Sequence, residues 1–156
     1  MMKDKNIALI GGAGFIGTRV ANRLNQAKSN FTIFDINISS IGTCFLDVED
    51  VSSLEKLEGY DVIVNLVGYL SSQKFLNFNI EEVNKTIKIN SLVPFLIIQN
   101  SIKHMEKKKY GRIINTSSVG VKFGGGENTF AYSLSKHINE FIPSYIKKLC
   151  SKNINY

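Results

Sequence analysis

The sequence predicts an α/β protein: a doubly wound parallel sheet with helices on both faces. Three observations lead there. Short β-rich apolar runs alternate with longer amphipathic segments. A glycine-rich turn joins the first run directly to the first helical segment, and no internal repeat or low-complexity linker breaks the alternation. At 156 residues with 44% hydrophobic content the chain can bury one core, so residues 1–156 are read as a single domain.

The elements follow in order. Ile7 to Ile10 is the first strand and Phe15 to Ala27 the first helix; Phe31 to Phe34 and Cys44 to Leu46 are short strands. Val51 to Leu57 is a short helix and Val62 to Leu66 the next strand. A polar loop from Gly68 to Asn79 leads into a long helix from Ile80 to Lys108. Strand Arg112 to Thr116, a glycine-rich loop and a helix from Phe130 to Leu149 complete the alternation. Ser151 to Tyr156 reads as a helix exit and the first residues of another strand, so the C-terminal strands are expected to be missing and strand Arg112 to Thr116 to lie at an edge. A truncated chain, a fragment or a partner-dependent protein is expected.

Several classes are set aside. The net charge is +6, but the lysines are dispersed and no aromatic-basic recognition motif accompanies them, so no nucleic-acid partner is expected. Lys107, Lys108 and Lys109 end a helix, where cations oppose the negative end of its dipole, and read as a solvated terminus. Leu92 to Ile98 contains Pro94 and is too short to span a bilayer, and the charged start lacks a signal-peptide core; a soluble cytoplasmic protein is expected. Cys44 and Cys150 have neither metal-ligand nor redox spacing and read as buried or incidental free thiols. No metal site is expected. Arg19 reads as a surface residue, and His104 and His137 receive no catalytic role.

After the first strand stand Gly11, Gly14 and Gly17 in GxxGxxG spacing, with Phe15 and Ile16 opening the helix. Glycines permit the tight turn and a close approach to a pyrophosphate, while free N–H groups at the helix start bind the anion. Asp35 ends the second strand 18 residues after Gly17, where a carboxylate can accept from ribose hydroxyls and repel a ribose phosphate. NAD is therefore expected in preference to NADP.

Tyr132 and Lys136 stand four apart on a predicted helix and share a face. The ammonium is expected to lower the phenol pKa from its usual value near 10, fitting the phenol for proton transfer. Strand Arg112 to Thr116 runs into Ser117 and Ser118 at its carboxyl end, where open α/β sheets bind ligands, and Ser118 rather than Ser117 is expected to hydrogen-bond a substrate oxygen. Pro94 cannot donate to the carbonyl of Asn90, which predicts a kink there and a bound water that joins Asn90 to Lys136.

Together these residues resemble the short-chain dehydrogenase/reductase family, with its Rossmann-like NAD(P)-binding fold, over essentially the whole chain. The resemblance implies that Tyr132 is the general acid/base, that Lys136 binds the nicotinamide ribose and lowers the Tyr132 pKa, that Ser118 orients substrate and that Asn90 holds a proton-relay water. It implies further that Asp47 and Val48 contact the adenine and that Leu66, Val67 and Gly68 pass beside the cofactor. The Gly-Phe-Ile-Gly turn is similar to the extended branch of nucleotide-sugar epimerases, dehydratases and reductases, whereas Gly111 to Ser118 is similar to the smaller branch of alcohol and ketone oxidoreductases. Tyr132 follows Ser118 by 14 residues, one more than the family pattern, which implies a longer Gly124-Gly125-Gly126 loop or a displaced Ser118. The family's substrate-binding elements fall after Tyr156.

The expected activity is hydride transfer between nicotinamide and a secondary alcohol or ketone. The alternatives are an NAD-dependent nucleotide-sugar enzyme of the extended branch, or a non-catalytic NAD(H)-binding module. The resemblance also implies a homo-oligomer paired through the helices at Ile80 to Lys108 and Phe130 to Leu149, and a small-molecule carbonyl, alcohol or nucleotide-sugar substrate.

Overall fold

The computed structural model describes residues 4–38 and 42–156. Six parallel strands, β1 (Asn6–Ile10), β2 (Asn30–Asp35), β3 (Thr43–Phe45), β4 (Val62–Asn65), β5 (Gly111–Asn115) and β6 (Ile154–Asn155), lie in the order β3-β2-β1-β4-β5-β6. The order reverses between β1 and β4, and ligands bind open α/β sheets outside the carboxyl ends of the strands at such a switch point. Ile7, Ala8, Leu9 and Ile10 are all buried, as a central parallel strand covered on both faces requires.

Helix α1 (Phe15–Gln26) packs on β1 and β2. Because β4, β5 and β6 extend the sheet in the other direction, right-handed crossovers carry α3 (Val93–Lys108) and α5 (Phe130–Asn139) to the opposite face. There Val93, Ile97, Ile98, Ile102 and Met105 of α3 join Ala8, Ile10, Ile63 and Ile113 of the sheet, with Leu54 and Leu57 of the 3₁₀ helix Val51–Leu57, in one core. Gly111 lies against Met105 so closely that a Cβ there would collide with the thioether.

Two expected helices are interrupted, both at proline. The segment expected as one helix from Ile80 to Lys108 is α2 (Ile80–Ile87), a π turn (Lys88–Leu92) and α3. Pro94 has no N–H to close the ladder onto Asn90, and the wider turn sits where that bond is lost. The segment expected as one helix from Phe130 to Leu149 is α5 and α6 (Ser144–Leu149), separated around Pro143. Proline disfavours helical backbone in the residue before it, so α5 stops and a new helix starts after the ring.

β5 is not left at the edge. Gly111 and Arg112 pair with Ile154 and Asn155, because Asn153 takes a left-handed conformation (φ 60°) that turns the chain into β6. The Arg112 guanidinium donates to the Asn153 carbonyl (2.8 Å) and to its Oδ1 (2.9 Å), fixing the turn. Lys108, expected in a solvated terminus, instead reaches the buried carboxylate of Asp61 at 3.3 Å. Cys44 and Cys150 are free, as expected, but exposed rather than buried. Among the described residues no helix is long and apolar enough to cross a membrane, and no cluster of side chains could hold a metal.

Candidate active site

The site begins where β1 turns into α1. Gly11 adopts φ +75°, a conformation that L side chains avoid, and its N–H and that of Gly12 donate to the Phe34 carbonyl at 2.8 and 3.3 Å. A Cβ on Gly17 would collide with the Gly11 carbonyl oxygen, so glycine alone lets the helix start against the turn. The N–H groups of Phe15, Ile16 and Gly17 have no acceptor among the described residues, as the first turn of a helix leaves them. The Phe15 and Ile16 side chains themselves are exposed, and the Arg19 guanidinium stacks 3.7 Å from the Phe15 ring.

Asp35, at the end of β2, accepts from the Ala13 N–H with Oδ2 (2.9 Å) and from the Asn37 N–H with Oδ1 (3.0 Å). Besides facing the cleft, it braces the glycine turn. A cavity of about 390 Å³, in the range of a small-molecule site, runs past Gly11, Gly14 and Asp35 to Asp47 and Val48, and on to Leu66, Val67 and Gly68. Asn65 shapes this second wall: its Oδ1 accepts from the Val67 N–H (3.2 Å) while its Nδ2 donates to Asn115 on β5 (2.8 Å). Asp47 holds its own turn by accepting from the Glu49 N–H at 2.9 Å. The residues fit a dinucleotide: amides offered at a helix start for the pyrophosphate, a carboxylate at one end for ribose, and apolar walls between.

Leu66 and Gly68 also line a second, shallower pocket that contains Tyr132, Lys136, Thr116 and Ser117. Tyr132 reaches a third pocket holding Ser118, Leu70, Val119 and Phe123. Tyr132 thus stands between the cleft and both serines, but Ser118 and Lys136 lie in different pockets. Lys136 is 2% exposed; its ammonium donates to the Thr116 carbonyl at 2.8 Å and lies 5.7 Å from the centre of the Tyr132 ring. Burial lowers the Lys136 pKa and raises that of Tyr132. The expected lowering of the phenol pKa is not found: the ammonium donates to the Thr116 carbonyl and lies over the ring, and desolvation of the phenol prevails.

Ser118 Oγ accepts from the Gly120 N–H (3.1 Å) and opens the short helix α4 (Gly120–Phe123); Ser117 Oγ donates to Glu140 (3.0 Å). The additional residue between Ser118 and Tyr132 is absorbed after α4, where Gly124 and Gly125 take φ of +74° and +85°. A Cβ on Gly120 or Gly125 would strike the Ser133 hydroxyl, so glycine there lets α4 lie on α5.

Asn90, 1% exposed within the π turn, spends its side chain on protein. Oδ1 accepts from the Tyr69 N–H (2.8 Å), and Nδ2 donates to the Tyr69 carbonyl (2.8 Å) and to Ser135 Oγ (2.9 Å). Ser135 in turn donates to the Tyr132 carbonyl at 2.7 Å. Sequence reasoning missed Ser135, which lies on the same helix turn as the Tyr/Lys pair, and missed Tyr69, Lys85 and Ile89 in the cleft wall. Tyr69 had a signal, since it directly follows Gly68. Lys85 and Ile89 had none, because α2 and the π turn approach the cleft from a distant part of the chain.

An open parallel sheet with a glycine turn at its switch point, and a Tyr/Lys pair at the same edge, defines a Rossmann-type α/β domain. Residues 6–155 match the short chain dehydrogenase family, and the chain belongs to it. Relatives include the 3-oxoacyl-[acyl-carrier-protein] reductase FabG of Aquifex aeolicus, 29% identical over 140 residues (89% of this chain, 54% of the relative). The protein of the same name from Rickettsia prowazekii is 31% identical over 150 residues (86% of this chain, 62% of the relative). This chain thus spans roughly half to two thirds of those two proteins. Among solved structures, NAD+-bound xylitol dehydrogenase superposes with a TM-score of 0.86 at 20% identity, over 98% of this chain and 68% of that one, a likeness of fold.

Proposed function

We propose that this chain carries the cofactor cleft and the proton-transfer groups of an NAD(P)-dependent oxidoreductase that interconverts a ketone and a secondary alcohol. One observation carries the reading: Tyr132 and Lys136 open onto a pocket that shares Leu66 and Gly68 with the dinucleotide-sized cleft. A bound nicotinamide supplies or takes the hydride. The half-buried phenol, its pKa raised by desolvation, would donate to the developing alkoxide; Ser118 would hydrogen-bond the same oxygen; and Lys136, one helical turn away, would stabilise the phenolate left behind and hold the cofactor's ribose. Asn90 is retained as the residue whose main-chain carbonyl holds a relay water.

Asp35 favours NAD over NADP, because a 2′-phosphate would meet a carboxylate already anchored on the turn. The names of the relatives make 3-oxoacyl thioesters the first substrates to try, and the apolar walls at Leu70, Val119 and Phe123 suit them. A second copy of the chain would cover Leu92 and Leu134, which are 53% and 44% exposed on the helices named above. The test is titration of the purified chain with NADH and NADPH by nicotinamide fluorescence, followed by turnover on 3-oxoacyl and simple ketone substrates. Saturable binding with NADH preferred, together with carbonyl-dependent oxidation, is expected. A folded chain, by circular dichroism, that binds neither cofactor refutes the reading.

A further inference from the structure

The segment from Tyr69 to Gln73 runs between the cofactor cleft and the Tyr132 pockets, and its residues alternate in direction. Leu70 and Ser72 face outward; Ser71 is buried and Tyr69 and Gln73 are half-buried. The inward groups converge on α2. Tyr69 Oη donates to Glu82 Oε2 at 2.7 Å, and Ser71 Oγ donates to the same oxygen at 2.9 Å. Gln73 Nε2 donates to Ser71 Oγ (3.0 Å), and the Gln73 N–H donates to the Asn128 carbonyl (2.8 Å) just ahead of α5.

Each end of this segment touches a different part of the site. The Tyr69 residue lines the cofactor cleft, and its backbone is held at both N–H and carbonyl by Asn90. Leu70 lines both pockets that contain Tyr132. The ends are held by Asn90 and by the Asn128 carbonyl. Between those ends the backbone of Leu70 and Ser72 carries exposed side chains, so the middle of the segment depends on what its inward side chains meet. The side chains of Tyr69 and Ser71 meet one carboxylate oxygen, a pair of charge-assisted bonds and therefore stronger than neutral ones.

We propose that Glu82 is a positioning residue: by accepting both hydroxyls on one oxygen it sets the Tyr69–Gln73 segment, and with it Leu70, as the wall shared by the cofactor cleft and the Tyr132 pocket. The proposal rests on the oxidoreductase reading for its kinetic consequence and on geometry alone for its structural one. Glu82 touches neither cofactor nor substrate. It acts through Tyr69 and Ser71, and Leu70 is the side chain whose placement changes.

The test compares Glu82→Ala, Glu82→Gln and Tyr69→Phe with the parent chain by amide hydrogen exchange of residues 69–73, NADH affinity, and kcat and KM for the carbonyl substrate. Glu82→Ala is expected to speed exchange in 69–73 and raise the substrate KM about tenfold, the loss of charge-assisted anchoring, with NADH affinity within about threefold of the parent. Tyr69→Phe keeps the ring in the cleft wall, removes one of the two bonds and is expected to fall between. Glu82→Gln keeps an acceptor oxygen and is expected to restore most of both readouts. Unchanged exchange and KM in Glu82→Ala overturn the proposal, as does a Glu82→Gln chain that fails as badly as Glu82→Ala while both lose thermal stability, since Glu82 would then be supporting α2 itself. If the parent chain binds no cofactor, the oxidoreductase reading fails; if it binds cofactor but turns over no carbonyl, the kinetic arm is lost; in either case hydrogen exchange alone decides whether Glu82 anchors the segment.

Discussion

At the amino edge of the sheet Asp61, 1% exposed, accepts from the Asn6 N–H at 3.1 Å and has Lys108 Nζ and His104 Nε2 at 3.3 and 3.4 Å. At the carboxyl edge Asp35 faces an open cleft, and the Tyr132 hydroxyl has no hydrogen-bond partner among the described residues. The amino edge is closed on itself in other places too: Asn30 Nδ2 donates to Asn6 Oδ1 at 2.6 Å, and Arg112 grips Asn153. Polar groups that satisfy one another contribute stability; polar groups left facing a cavity are available to a ligand. The two edges of one sheet are thus expected to respond to mutation in opposite ways.

The largest effect is expected at the carboxyl edge. Tyr132→Phe removes the proposed proton donor and keeps the ring, and should lower kcat about a thousandfold, within the range for loss of a general acid. NADH affinity should stay within about threefold, since the phenol adds little to ground-state binding, and the thermal midpoint should hold. Stopped-flow or steady-state rates beside a thermal melt check it. Retained turnover with a lowered midpoint would reverse the roles assigned to the two edges.

Next in size is the amino edge. Asp61→Asn should cost about 2 kcal/mol in urea unfolding at neutral pH, the worth of a charge-assisted bond from the Asn6 N–H and of the ion pair with Lys108, while kcat per folded molecule is unchanged. Burial opposes the charged form of Asp61, but the Asn6 N–H, Lys108 and His104 outweigh it and hold its pKa below the ordinary 3.8. The sign follows from a depressed carboxylate: its contribution is complete above about pH 4 and disappears as pH falls through the lower folded value. The stability of the parent chain should therefore fall faster than that of Asp61→Asn below pH 4. Equal acid slopes would remove Asp61 from the account.

How much of this was legible in the sequence differs along the same lines. The glycine turn at the end of β1, Asp35 at the end of β2 and the shared helix of Tyr132 and Lys136 depend on spacing within one or two adjacent elements, and the chain puts them there; the ammonium's bond to Thr116 does not follow from spacing. The alternation of five strands with helical segments also sufficed for the sheet, and the segment expected to begin another strand forms β6. What spacing did not carry is the long-range part. Lys108 meets Asp61 across 47 residues of sequence, and Asn90 meets Ser135 across 45. Composition at Lys107 to Lys109 resembles any solvated helix end, and only the packed position of α3 against the sheet gives Lys108 a partner. Pro143 is a break that the sequence carries in plain view: apolar periodicity continues on both sides of it, but its missing N–H and the residue it restrains end α5 and start α6.

The smallest effect separates two jobs that Asp35 performs at once. Its Oδ2 braces the glycine turn through Ala13, and under the proposed reading its charge would disfavour a ribose phosphate. Asp35→Ser keeps a small acceptor for the turn and removes the charge, so NADPH affinity should rise and the NADH preference shrink about tenfold, near 1.4 kcal/mol. Asp35→Asn keeps size and one acceptor oxygen, enough for the bond from Ala13 but not also for that from Asn37, and should shift the ratio in the same direction with less effect on NADH. If both variants weaken NADH and NADPH alike, the brace on Ala13 dominates, and Asp35 belongs with Asp61 among the groups that hold the fold. If only the ratio moves, the carboxylate is read by the ligand, and the contrast between the two edges extends to single carboxylates in one sheet.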